Sequence, residues 1–465
     1  MSILSDRYAS AEMKKIWSPQ SKISAERNLW ITIMKAQSEL GFEIPASAIA
    51  DYEAVKGNID LASIDKRELE LRHDVKARIE EFNALAGHQY IHIAMTSRDL
   101  TENIEAYQIL SALKLIQFKS IALLARIGEK ITEYKDLPIV GRSHNVPAQI
   151  TTLGKRFATI GEEFLLSYAN LTHLIENYPI RGLKGPMGTA QDSYEAMGEN
   201  YNLLESNLIS SLGFTSSLDS TGQIYPRSLD YLTITTLVGL SAAPSNLATS
   251  IRLMAGHNLV SEGFKEGQVG SSAMPHKMNT RSCERVNGFA AILKGYATMI
   301  GEISGVQWNE GDVSDSVVRR VAISDAFYAI DGLLETTLTI LNEFGVFPAM
   351  IEQEIKTHLP FLATSKILLA AVKNGMGRED AHQVIKEISL KAAGDIRNGI
   401  KSDLLEAIAQ DFRIPLDLSE LKDLISSTLE FTGLARQQCE TLVAKISNLT
   451  NNHPKAVLFI ETSIR

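Results

Sequence analysis

Three stretches of this chain lack proline: Thr101 to Leu137, Ala148 to Tyr178, and His276 to Phe347. Proline ends or kinks a helix because it has no N–H and its ring collides with the preceding turn, so these gaps are room for long helices. From Tyr107 the apolar residues Leu110, Leu113, Ile116, Leu124, Ile127 and Ile131 recur mostly at three- and four-residue steps. Leu153, Phe157, Ile160, Phe164, Tyr168, Leu171 and Leu174 do the same. That period is helical. A helix filling Thr101 to Leu137 would run ~55 Å at 1.5 Å per residue, and rods of that length bury their apolar stripes by packing as bundles. The best strand signal, Leu232 to Leu240, lacks clean alternation and reads equally well as a buried helix. The expected fold is all-α, its centre a bundle of long helices.

The chain has 465 residues, 45% of them hydrophobic, which is more than one core usually supports. We expect an N-terminal helical domain over 1–97, the long-helix bundle over 98–351, and a smaller helical unit over 352–465 broken at Gly375 and Gly377. A formal net charge of -9 disfavours nucleic acid or an anionic membrane as a broad partner, so any anionic ligand needs a local cluster of cations. Two cysteines, Cys283 and Cys439, are too few for a disulfide framework and fit a reducing compartment. Met1 to Tyr8 carries no apolar signal core, and charges are expected to interrupt every apolar run before the ~18 residues a membrane helix needs. The expectation is a cytoplasmic protein with no membrane partner.

Between two predicted helices lies Gly270-Ser271-Ser272-Ala273-Met274-Pro275-His276-Lys277-Met278-Asn279, in which small, polar and cationic residues crowd together. Glycine permits close approach, proline withholds a donor, and the exposed amides can form an anion-binding concavity beside Lys277. Arg72, His73 and Asp74 stand side by side on a predicted helix, and Thr96-Ser97-Arg98-Asp99 has the form of a helix cap. His144 sits on irregular backbone ahead of a helix expected to begin near Gln149. His88 and His92 have the i, i+4 spacing of a helical metal pair, but Gln89 stands where a zinc protease needs glutamate, and we assign no metal. Gly263, Gly267 and Gly270 miss the dinucleotide spacing, and no phosphate-loop motif occurs, so no cofactor is called for.

The loop resembles the Gly-Ser-x-x-Met-x-x-Lys-x-Asn signature of the fumarase/aspartase superfamily. Its continuation through Arg281, Ser282, Glu284, Arg285 and Asn287 is similar to the adenylosuccinate lyases within it. The same family is matched by Arg7-Tyr8, Arg72-His73-Asp74-Val75, Thr96-Ser97, Arg142-Ser143-His144, Gln223 with Arg227, Ser316 with Arg320, and the segment Met376 to Asp380. The sequence departs at Ser143 and Asn145, where the family has threonine and glycine. It departs again at Met278 and Thr280, for arginine and proline, and at Gly311, where many relatives have arginine.

The resemblance implies a cofactor-independent lyase that eliminates fumarate from adenylosuccinate and from the related succinyl-carboxamide ribotide, working as a homotetramer with active sites shared between subunits. It makes Ser271 the expected base, His144 the acid with Glu284 orienting it, and Lys277 with Asn279 the holders of the succinyl carboxylates. Thr96 and Ser97 would meet the succinyl part, and Ser272 and Met274 belong to the same loop. Arg7, Tyr8, His73, Ser316 and Arg320 would hold the nucleotide, with Arg72, Asp74, Gln223 and Arg227 beside them. A sister lyase for argininosuccinate or fumarate, or a non-catalytic helical protein on the same fold, is the alternative.

Overall fold

The computed structural model describes residues 2–263, 274 and 277–462. The N-terminal part of the chain holds six helices, α1 (Ile3–Tyr8), α2 (Ala11–Ile16), α3 (Pro19–Glu39), α4 (Ala46–Val55), α5 (Leu61–Leu71) and α6 (Asp74–Ala86). The rods follow as α7 (Ser97–Tyr134) and α8 (Leu153–Glu176), then, after the shorter α9 (Gln191–Met197) and α10 (Tyr201–Ser211), as α11 (Ser228–Gly256), α12 (Arg281–Ile303) and α13 (Ser316–Glu343). The last helices are α14 (Pro348–Leu362), α15 (Thr364–Lys373), α16 (Arg378–Arg397), α17 (Leu404–Ala409), α18 (Leu418–Leu424), α19 (Ala435–Thr450) and α20 (Pro454–Val457). The five rods pack on one another, with α7 against α8, α13 and α19, and α11 against α8, α12 and α13.

The longest rod starts at Ser97 rather than Thr101 because Asp99 turns back to accept the Thr96 N–H at 2.8 Å, closing the first turn. Its stripe of Leu110, Leu113, Ile116, Leu124, Ile127 and Ile131 is buried as the periodicity requires. Leu232 to Leu240 lies inside α11, so the ambiguous segment is a buried helix. Charges at Glu105, Lys114, Lys119 and Arg126 interrupt the apolar runs of α7, and although an 18-residue window of this helix is apolar enough on average to span a membrane, 67% of it is buried inside the bundle. It is the core rod of a packed domain.

Two strands interrupt the helical chain between α7 and α8, where the sequence predicted a helix from near Gln149. Strands β1 (Pro138–Ser143) and β2 (Val146–Thr152) form an antiparallel hairpin with a bulge between Gly141 and Arg142. Val146, Ile150, Thr151 and Thr152 are β-branched and Pro147 has no N–H, which disfavours a helix here. The hairpin's base is clamped where α8 begins. A Cβ added at Gly154 would lie 2.5 Å from the Lys135 nitrogen and 2.7 Å from the Ile131 carbonyl oxygen, so only glycine lets the two rods approach this closely. A two-residue ladder, β3 (Val260–Ser261) with β4 (Gly345–Val346), ties the ends of α11 and α13 together.

Past Glu352 the chain divides its loyalties. Ile367, Ala371, Val384, Ile385, Leu404, Ile408 and Leu421 form a separate small core, whereas Cys439, Leu442, Ile446 and Ala456 join the core of the rods. The segment after α20 also returns to the bundle. Thr462 donates its N–H to Glu335 at 2.6 Å, and Lys119 sits between Glu335, at 2.6 Å, and Asp331. Asp331 in turn accepts the Ser10 N–H at 2.7 Å, and Lys119 donates to the Ser10 hydroxyl at 3.0 Å. All three ionic side chains are at most 1% exposed.

Candidate active site

A cavity of about 490 Å³ opens where α3, α6, α7 and α13 begin. On α7 its lining is Ser97, Arg98, Thr101, Glu105, Gln108 and Ile109, and on α13 it is Ser316, Arg319, Arg320, Ile323 and Ser324. Both sets follow helical spacing, so each rod gives one face to the cavity. His73 and Asp74 come from the start of α6, and Lys22 from α3. Five of the sequence-predicted residues, His73, Asp74, Ser97, Ser316 and Arg320, thus share one cavity.

The local backbone explains His73. Arg72 adopts a left-handed conformation, φ 52°, that ends α5, and His73 is the residue capping α6, not a mid-helix position as predicted. Its Nδ1 accepts the Lys76 N–H at 3.2 Å, which leaves Nε2 as the ring nitrogen able to donate. Asp74 accepts the Val75 N–H and pairs with Arg78 at 3.2 Å. Burial pushes its carboxyl up, but Arg78, the Val75 amide and Lys22 outweigh that and hold it below the usual range. Arg72 itself is exposed and does not line the cavity, and Thr96 likewise stands outside the lining as the residue preceding α7.

Beneath the cavity runs an ionic floor that sequence reading missed. Arg319 donates to Asp230 at 2.7 Å, to Glu105 at 2.8 Å and to the Tyr225 hydroxyl, joining α13 to α11 and α7. Arg227 grips Glu102 with both terminal nitrogens, at 2.9 and 3.0 Å, and also holds Asp315. Tyr225 lies between the two guanidiniums, 4.5 Å from Arg227 and 5.2 Å from Arg319. Burial opposes charge on Glu105, but Arg319 and Lys22 outweigh it and hold the carboxyl down at about 2. Arg227, expected to contact substrate, is 3% exposed and fully committed to these acids, so within this chain it braces the site instead. The usable signal was a pair of acids, Glu102 and Glu105, close together near the start of the longest rod.

The remaining predicted residues lie elsewhere. Gln223 donates its N–H to the Glu310 carbonyl, and a Cβ at Gly311 would come 2.9 Å from the Gln223 Cβ, so the loop carrying Gly311 is pressed against it. Arg7 and Tyr8 end α1, and the Tyr8 ring stands edge-on to Phe289 at 5.2 Å with Arg285 5.6 Å from its centre. His144 and Asn145, both left-handed at φ 51° and 63°, form the exposed tip of the β1–β2 hairpin. Arg142 anchors that tip by pairing with Glu354 of α14 at 2.5 Å. Ser271 and Ser272 lie outside the described residues. Lys277 and Met274 are exposed, Asn279 half-buried, and Glu284 sits exposed in the first turn of α12. Glu262 caps that helix, accepting the Ser282 and Cys283 N–H groups at 2.9 and 2.8 Å.

His88 and His92 share no helix face. His88 bonds Asp51 at 2.8 Å, and the half-buried His92 accepts the Trp30 indole N–H at 3.1 Å. Burial, helped by His73 and Lys76, pushes His92 down to about 4. No group of metal-ligating side chains occurs among the described residues.

Residues 8–295 match the family model described as Lyase, and residues 360–448 match Adenylosuccinate lyase C-terminus. The adenylosuccinate lyase of Saccharomyces cerevisiae is 34% identical over 96% of this chain and 94% of its own. The chain belongs to the adenylosuccinate lyase family, within the fumarase/aspartase superfamily. The adenylosuccinate lyase of Schizosaccharomyces pombe is 33% identical over 95% of this chain and 93% of its own. The fold is that of 3-carboxy-cis,cis-muconate lactonizing enzyme from Pseudomonas putida, with a TM-score of 0.84 over 96% of this chain and 99% of the other at 17% identity. A fumarate lyase from Mesorhizobium sp. BNC1 gives 0.80 over 94% and 98% at 19% identity. The protein is a carbon-nitrogen lyase.

Proposed function

We propose that the protein eliminates fumarate from adenylosuccinate, leaving AMP, and from the succinyl-aminoimidazole-carboxamide ribotide of purine synthesis. The observation that carries this reading is the cavity that gathers His73, Asp74, Ser97, Ser316 and Arg320 from three separated segments of a chain whose relatives bear that name. In a β-elimination a base takes the proton beside a carboxylate, the electron pair forms the carbon–carbon double bond, and the C–N bond breaks onto the leaving nitrogen, which an acid protonates. Ser271 is the base, activated by the cationic loop around Lys277, and His144 is the acid, with Glu284 orienting it. Lys277 and Asn279 stabilise the charge that builds on the succinyl carboxylate as the proton leaves.

These groups work together only across subunits, and the protein is a cytoplasmic homotetramer. The cavity lies at the start of α7 and the His144 hairpin follows its end, so Ile109 and Tyr134 are ~37 Å apart along the rod. Among the described residues His144 makes no hydrogen bond or ion pair with Glu284. Rods that pack antiparallel between subunits bring one chain's cavity beside another chain's hairpin.

The test is release of fumarate and AMP from adenylosuccinate, followed by mixing of two inactive variants. His144→Gln and Ser271→Ala proteins are each expected to be inactive. After subunit exchange, confirmed by mass, a site is intact only when its histidine and its serine each come from the unaltered copy, which restores roughly a quarter of the sites in a symmetric assembly. Wild-type protein that releases no fumarate refutes the activity. Hybrid tetramers that stay inactive refute the shared site.

A further inference from the structure

Lys22, near the start of α3, lines the cavity although no motif singled it out. Its ammonium makes no hydrogen bond among the described residues, and its one ion-pair contact, the Glu105 carboxylate, is 3.8 Å away. The side chain is 33% exposed. Three acids surround it, and an arginine holds each of them more closely. Arg319 holds Glu105 at 2.8 Å, while Arg78 holds Glu26 at 2.7 Å and Asp74 at 3.2 Å. An ammonium has three donors, and those of Lys22 are open to the cavity. Across from it α13 presents Ser316 and Arg320, with Arg320 exposed and in no ion pair with a described residue.

We infer that Lys22 is a ligand-contacting residue that donates to a phosphate oxygen of the bound nucleotide; this rests on the reading of the cavity as the nucleotide site. A phosphate monoester brings close to two negative charges at neutral pH. Among the cavity's lining cations Arg319 is held by Asp230 and Glu105 and Arg98 pairs with Glu102 at 3.1 Å, which leaves Arg320 and Lys22, while Arg7, also assigned to the nucleotide, stands at the end of α1 outside this lining. The loop position that would have added an arginine is Gly311, pressed against Gln223. The succinyl carboxylates have their own cation in Lys277, so the charge left to Lys22 is the phosphate. A compact ammonium, unlike a planar guanidinium, serves such an anion as a point charge without a fixed docking angle.

The experiment titrates AMP and adenosine, separately, into full-length wild type, Lys22→Met and Lys22→Arg by calorimetry. The two ligands differ only in the phosphate. Loss of one charge-assisted contact is expected to weaken AMP about tenfold or more in Lys22→Met while adenosine stays within about twofold, and Lys22→Arg is expected to keep most of the AMP affinity. Lys22→Met that binds AMP as wild type does, or that loses AMP and adenosine equally, overturns the assignment of Lys22 while leaving the nucleotide site standing. Wild type with no preference for AMP over adenosine overturns both.

Discussion

Replacing Lys119 by methionine keeps most of the side chain's stem and deletes one charge from the middle of the bundle. Lys119 is 1% exposed, and Asp331 and Glu335 are 0% exposed, so the variant leaves two carboxylates facing each other without water or a cation. Removing one partner of a buried ion pair costs about 3–5 kcal/mol. Asp331 keeps the Ser10 N–H at 2.7 Å and Glu335 keeps the Thr462 N–H at 2.6 Å, which places the expected cost at the lower end. Unfolding entropy is ~2.1 cal/mol/K per residue, or about 1 kcal/mol/K for the whole chain, so a loss of ~3 kcal/mol lowers Tm by ~3 °C if the chain unfolds as one unit. A bundle that unfolds by itself shows a larger drop. Scanning calorimetry on the full-length protein at neutral pH reads this directly. The triple variant Lys119→Met, Asp331→Asn, Glu335→Gln, which leaves no charge in the cluster, is expected to recover most of the loss. A single variant within ~0.5 kcal/mol of wild type, or a triple variant no more stable than the single, would refute the reasoning.

Two further outcomes are expected. Burial raises the Glu335 carboxyl above its ordinary value against the pull of Lys119, so this group favours the folded state below the unfolded carboxylate pKa and loses that contribution as pH rises through its folded value. Glu335→Gln should therefore gain in Tm relative to wild type between about pH 4 and pH 7, and a constant difference across that range would show that Glu335 does not titrate as described. Glu354→Gln cuts the ion pair that anchors the hairpin, a partly exposed contact that sets the height of His144 more than it stabilises the fold. Fumarate release should slow about two- to fivefold with Tm nearly unchanged, and an unaltered rate would mean that the hairpin holds its place without this pair.

The rods were legible because their order is local. Apolar residues at helical spacing wrote α7, α8 and α11 into the sequence, and the buried faces fall where the period puts them. The hairpin was hidden because β1 and β2 are six and seven residues long, with exposed and half-buried positions mixed along both, so no alternation marks them. Arg227 was misread for a different reason. Its partners Glu102 and Asp315 lie 125 and 88 positions away, and nothing near Arg227 in sequence says that a guanidinium will be buried against them. Five residues of the cavity were found through motif, whereas Lys22, Arg319 and Glu105 carry no motif and emerge only when helix starts converge.

Because Ser10 and Thr462 both bond to the cluster around Lys119, a segment from near each end of the described chain is tied to the same point of the bundle. A new start could be opened at an exposed turn such as Asn309 without cutting any rod, with a flexible linker running between the segment before Ser10 and the one after Thr462. The order in which the rods are synthesised would change and their packing would not, so a permuted chain would separate how the bundle assembles from what it becomes.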